Sequence, residues 1–122
     1  MKNYNKPIGF YGEDLSVEFL KERGYKILER NFTCSFGEVD IIALKNNIIS
    51  FIEVKSRFTT SFGKAKEAVT CYKQKKIIKV SKYYLHKKNL YDYYVRFDVI
   101  EIYLNLRNSK HQLIFLEDAF RL

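Results

Sequence analysis

The sequence predicts an α/β domain with a mixed central sheet flanked by helices, in the order helix, three strands, helix, two strands. Three observations lead there. Two segments, residues 8–23 and about 70–88, carry apolar residues at helical spacing, and five others read as strands. The dipeptide Asn46-Asn47 lies between two apolar runs and suits a two-residue hairpin turn, because asparagine tolerates positive φ better than most residues. The connection from the third strand through a helix to the fourth is long enough for a right-handed parallel crossover.

The elements follow in order. Residues 8–23 lack proline and stop at Gly24, a suitable residue for a helix C-terminus. Strands are expected from Tyr25 to Phe32 and from Glu38 to Leu44, with Ser35-Phe36-Gly37 turning between them, and a third from Ile48 to Lys55. Ser56 to Gly63 reads as a polar loop. Thr70 is a plausible N-cap for the second helix. Tyr94 to Leu104 and Leu113 to Phe120 read as two further strands joined by a polar turn around Asn105 to Lys110, the last of them a candidate edge. No repeat, linker or low-complexity segment interrupts the series, so residues 1–122 are read as one domain.

Composition narrows the function. Lysine and arginine together number 22 against 14 acidic residues, a net charge of +8 that points to a polyanionic partner. No apolar run approaches the ~20 residues of a membrane-spanning helix, and the start Met1 to Pro7 has no apolar signal core, so the expectation is a cytoplasmic protein with no membrane partner. Cys34 and Cys71 stand far apart with no second thiol at a metal-ligand or redox spacing, as expected of free thiols, and His86 and His111 are equally isolated. No P-loop, dinucleotide fingerprint, nucleophile elbow or metalloprotease histidine pair is present.

The chemistry concentrates on the expected hairpin. If Lys45 pairs with Ile48, the same register sets Asp40 opposite Glu53 and Glu38 opposite Lys55. Side chains alternate across a strand, so Asp40, Ile42 and Leu44 should share a face with Ile49, Phe51, Glu53 and Lys55, while Val39, Ile41, Ala43, Ile48, Ile52 and Val54 make the other face apolar. Opposed side chains have Cβ atoms ~4.5 to 5.5 Å apart, and like charges at that spacing repel. Two carboxylates between buried faces are costly without a cation, and their oxygens favour magnesium or manganese. The bland reading is a cross-strand salt bridge between Glu38 and Lys55 at the sheet's end.

Two polar residues sit where apolar ones belong. Glu13 falls in a stripe with Phe10, Val17 and Leu20, either facing the sheet as a fourth member of the acidic site or merely answering the helix dipole. Gln74 falls among Ile77, Ile78, Ser81 and Leu85 in the first turn of the second helix, where it either reaches the site or is wetted by solvent. Opposite it, Lys75, Lys79, Lys82 and His86 form a stripe suited to a phosphate backbone, or an ordinary solvated face. Most of the ten tyrosines and ten phenylalanines are read as core and rim packing.

With Asp40 and Glu53-Val54-Lys55 in place, the chain resembles the restriction-endonuclease-like superfamily, whose hallmark is an Asp followed by a Glu/Asp-x-Lys. More closely it resembles the YraN family of uncharacterised bacterial proteins. The matching stretches are Gly12-Glu13-Asp14-Leu15, Gly24 to Phe32, Phe36 to Ala43, Phe51 to Arg57, Lys73 to Ile77 and Arg96 to Ile100, nearly the whole chain. The resemblance implies a restriction-endonuclease-like core, a distant likeness to Holliday-junction resolvases, and a metal held by Asp40 and Glu53. Glu13 would match the helix-borne glutamate of the resolvase-like branch. Gln74 stands where several relatives carry a second-helix glutamine, although the tyrosine found four residues later in some branches is Ile78 here.

The expected activity is therefore metal-dependent hydrolysis of phosphodiester bonds in DNA, in preference to RNA, with branched or structured DNA as one form of substrate. Asp40, Glu53 and the carbonyl of Val54 would hold Mg²⁺ or Mn²⁺, Lys55 would act on the attacking water, and Glu13 and Gln74 would complete the site. Lys75, Lys79 and Lys82 would bind the nucleic acid. The alternatives are a non-cleaving nucleic-acid-binding module of a DNA-processing complex and a protein-interaction scaffold. Many related nucleases dimerise, which leaves a possible homodimer.

Overall fold

A computed structural model describes residues 5–59, 69–105 and 107–121, with the side chains of residues 5–10 and 59 outside that description. The elements are α1 (Asn5–Glu22), β1 (Lys26–Cys34), β2 (Gly37–Lys45), β3 (Ile48–Thr59), α2 (Cys71–Lys87), β4 (Tyr94–Asn105) and β5 (His111–Phe120). The strands form one sheet in sequence order, with β3 and β4 parallel and every other neighbouring pair antiparallel. The expected mixed sheet and both helices are present.

Local chemistry explains the boundaries. α1 stops where Gly24 takes φ 90, allowing the Gly24 and Tyr25 N–H groups to return to the Lys21 and Leu20 carbonyls. The β2–β3 hairpin turns at Asn46-Asn47 with Asn46 at φ 57, and Lys45 pairs with Ile48 as expected. Thr70 caps α2, its hydroxyl accepting from the Lys73 N–H at 3.1 Å. The sequence reading departs most at the end of β3: residues 56–59, expected in a loop, continue the parallel ladder opposite Ile102 to Asn105 of β4. The rest of that expected loop, residues 60–63, lies outside the described residues.

One helix covers each face. Ile77, Ile78, Val80 and Tyr84 of α2 pack on Ile42, Ile49, Phe51, Phe97 and Val99, while Val17 and Leu20 of α1 pack on Ile41, Ala43, Ile52, Ile100 and Ile102. Val39 breaks the expected alternation by packing with α2 rather than with Ile41 and Ala43. Opposite it on β1, the ladder pairs Arg30 with Ile41 and Phe32 with Val39, and Asn31 between them takes φ 54.

Two further features set the ends of the sheet. Gly12 lets α1 lie close on β3, since a Cβ there would run into the Ser56 hydroxyl. At the β4–β5 edge, fully buried Asp98 receives the Arg96 Nε at 2.9 Å and the Asp118 N–H at 2.8 Å, beside a register shift between Phe97 and Val99. Among the described residues no helix is long and apolar enough to cross a membrane.

Candidate functional site

The hairpin opens where the acids lie. The β2–β3 ladder runs from Lys45↔Ile48 to Ile41↔Ile52 and ends there, so neither Asp40 and Glu53, expected directly opposite one another, nor Glu38 and Lys55 are ladder partners. In the same register, the Val54 N–H would have gone to Val39; it donates instead to Asp40 Oδ2 at 2.7 Å. The carbonyl of an extended residue points to the same side as its N–H, so that of Val54 faces the same opening.

Around this opening the two helices bring charge from both faces. Glu53 is 5% exposed and ion-paired with Lys73 Nζ from the first turn of α2. Glu13, also 5% exposed, is held from β1: its Oε1 accepts from Arg30 Nε at 3.1 Å, Arg30 Nη2 at 2.8 Å and Asn31 Nδ2 at 3.1 Å. Arg30 also reaches exposed Asp14 at 2.7 Å. Burial, then the charge of Glu53, pushes the Asp40 carboxyl up to about 7, with Glu13 adding to the effect and the Val54 N–H and Lys73 opposing it. Burial pulls the Lys73 ammonium down, but its bond to Glu53 and the charges of Glu53, Asp40 and Glu38 leave it raised. Asp40, Glu53, Glu13 and Lys73 thus form one electrostatic unit.

The remaining residues singled out from sequence lie as follows. Lys55 is half-buried, two residues beyond Glu53 on the same side of β3, and its ladder partner in β4 is Glu101. Gln74 is half-buried, and its Nε2 donates to the Val69 carbonyl at 2.8 Å, bracing the start of α2. Lys75, Lys79, Lys82 and His86 are all exposed. Sequence reasoning missed Lys73, Arg30, Asn31 and Glu101. The last is 3% exposed and accepts from the Tyr103 hydroxyl at 3.2 Å. Lys73 carried a signal, being adjacent to Gln74 in the turn already suspected; Arg30 and Asn31 carried none beyond polarity in a strand.

Among the described residues, no three His, Cys, Asp or Glu side chains are gathered as a metal-binding group. The oxygen donors at the opening are two carboxylates, Asp40 and Glu53, and the Val54 carbonyl. They suit a hard divalent cation, since such ions take a few carboxylates and keep several waters.

A family model matches residues 12–102, which contain all of these side chains. The chain belongs to the uncharacterised protein family UPF0102. A UPF0102 protein of Clostridium perfringens strain 13 is 68% identical over 121 residues, covering 99% of both chains. UPF0102 proteins of Clostridium botulinum are 54% identical in strain Eklund 17B, over 99% of both chains, and 47% identical in strain Hall, over 97% of both. This bears out the resemblance to the YraN family, which is the same group.

Proposed function

We propose that this UPF0102 protein is a metal-dependent nuclease that hydrolyses phosphodiester bonds in DNA, branched or structured DNA included, on a restriction-endonuclease-like core. The observation that carries the reading is the open end of the β2–β3 hairpin, where the Asp40 carboxylate stands on the Val54 N–H beside nearly buried Glu53. A structural ion pair gives no reason to drive two acids together in the interior.

Asp40, Glu53 and the Val54 carbonyl would hold Mg²⁺ or Mn²⁺, and the donor chemistry fits. Such an ion, when bound, acidifies a water and offsets charge on the phosphate. Lys55 lies on the same side of β3 as Glu53, where its ammonium positions the attacking water and stabilises the anion as water adds to phosphorus and an ester oxygen leaves. Glu13, oriented by Arg30 and Asn31, closes the acidic side. Gln74 braces the first turn of α2, and so the placement of Lys73. The exposed stripe of Lys75, Lys79 and Lys82 meets the phosphate backbone.

One observation favours the second reading, a non-cleaving nucleic-acid-binding module: the Glu53 carboxylate is already engaged by the Lys73 ammonium. The assay that separates them uses junction, flap and single-stranded substrates in Mg²⁺, Mn²⁺ or EDTA, with Asp40→Ala and Lys55→Ala alongside. A nuclease cleaves only with metal and loses cleavage in both variants. Absence of cleavage on every substrate, or cleavage that survives both substitutions, overturns the proposal. Salt-sensitive binding in EDTA that ignores Asp40→Ala, without cleavage, identifies the module.

A further inference from the structure

Next to the acidic opening lies a groove of about 490 Å³ between the β1–β2 turn and the N-terminal half of α2. Its lining includes Cys34, Phe36, Glu38, Tyr72, Lys73 and Lys76. Phe36 and Tyr72 are 46% and 70% exposed, although large aromatic rings ordinarily find cover. Neither belongs to the core clusters on the two faces of the sheet. Phe36 is propped by Tyr83, their centroids 6.1 Å apart, and Lys76 Nζ lies 5.0 Å from the Tyr72 ring centre. At its floor Gly37, at φ 143, packs on α2, with Val80 3.6 Å and Lys76 3.8 Å from where its Cβ would be.

We infer that this groove seats the base of an unpaired nucleotide, with the attached phosphate directed toward Lys73 and Lys76. The inference rests on the nuclease reading for the meaning of the neighbouring acids and specifies its substrate: a strand with unpaired bases next to the phosphate that reacts. Three features select the occupant. Exposed aromatic faces offer stacking that any base can use. Ammonium groups at the groove supply the charge complement of a phosphate, whereas Glu38 on the rim repels one, which sets the phosphate on the α2 side. Finally, Lys73 belongs both to the groove and to the ion pair with Glu53, so the seat and the candidate reaction centre share a side chain. A paired base inside a duplex has its faces covered by its neighbours and cannot enter.

The test is binding in EDTA, by fluorescence anisotropy, of a labelled oligothymidylate of about ten nucleotides, an oligouridylate of the same length and an abasic backbone of the same length. Wild type should prefer the base-bearing strands. Phe36→Ala and Tyr72→Ala should each weaken them by roughly 5- to 100-fold while changing abasic binding little. Tyr94→Ala, at an exposed tyrosine outside the groove, should change neither. Tight binding of thymidylate, uridylate or both supports the seat and reports only its sugar preference. Equal affinity for abasic and base-bearing strands, equal losses on both in the two variants, or no binding of any strand overturns it. Base preference together with no cleavage by wild type on any substrate in Mg²⁺ or Mn²⁺ upholds the seat while the nuclease reading falls; cleavage without base preference does the reverse.

Discussion

Replacing Asp40 by asparagine should stabilise the metal-free protein by an amount that grows with pH. Burial and the charge of Glu53 push the Asp40 carboxyl from 3.8 up to about 7. Between these values the folded protein holds a proton that the unfolded chain has released. Stability is therefore lost as pH rises from about 4 to about 7, and the penalty is complete above that window. At about 1.4 kcal/mol per pH unit the ceiling is roughly 4 kcal/mol. Partial solvent access and rearrangement of Lys73 reduce the expected effect to about 2 kcal/mol. Asparagine keeps an oxygen for the Val54 N–H and removes the charge. Urea or thermal unfolding in EDTA should show a small gain near pH 4 and, at pH 8, a rise in Tm of roughly 6 to 10 °C. Adding Mg²⁺ should stabilise wild type at pH 8 and leave the variant unmoved, because only the site with both carboxylates gains by binding. A gain independent of pH, or a loss of stability at pH 8, would refute the reasoning.

Three other perturbations probe the same architecture. Lys73→Met strips nearly buried Glu53 of its counter-ion and should cost about 3 kcal/mol in EDTA, with part of the loss recovered in Mg²⁺ as measured by chemical unfolding. Gly12→Ala pushes a methyl into the Ser56 hydroxyl and should destabilise by about 1–3 kcal/mol in the same measurement, a loss that Ser56→Ala partly relieves. Lys79→Gln and Lys82→Gln, both at exposed positions, should leave Tm unchanged, weaken DNA binding uniformly across sequences and each lower the salt slope by about 1 in a titration series.

The hairpin was legible because its turn chemistry and its hydrophobic pattern agree. Asn46 adopts the positive φ that its side chain tolerates, and once Lys45 faces Ile48 the register up to Ile41 and Ile52 is determined. The point at which that ladder opens was not legible, because there the Asp40 carboxylate occupies the Val54 N–H, a side-chain contact that strand alternation does not reveal. The cation beside the acids was foreseen as Lys55 or a metal. Lys73 fills that role against Glu53, since a long flexible side chain in the first turn of a helix reaches places its direction on a helical wheel does not reveal. The end of β3 was hidden by composition: Ser56 and Arg57 look like loop residues, yet the parallel ladder carries them past Ile102 and Tyr103. Glu101 drew no notice for a related reason, because burial beside a tyrosine hydroxyl in a parallel pair leaves no mark on local periodicity.

The network around Asp98 bears on how copies of this protein can meet. The outermost strand β5 ends in a kink, with Asp118 at φ 55 and its N–H turned inward to the Asp98 carboxylate, and with Glu117 and Asp118 exposed on the margin. An incoming chain seeking to prolong the sheet at this end of the border would find one rung already claimed and the ion pairs of Asp118 with Arg121 and Glu117 with Arg96 in its way. Growth of the sheet by strand addition is disfavoured at that end of β5.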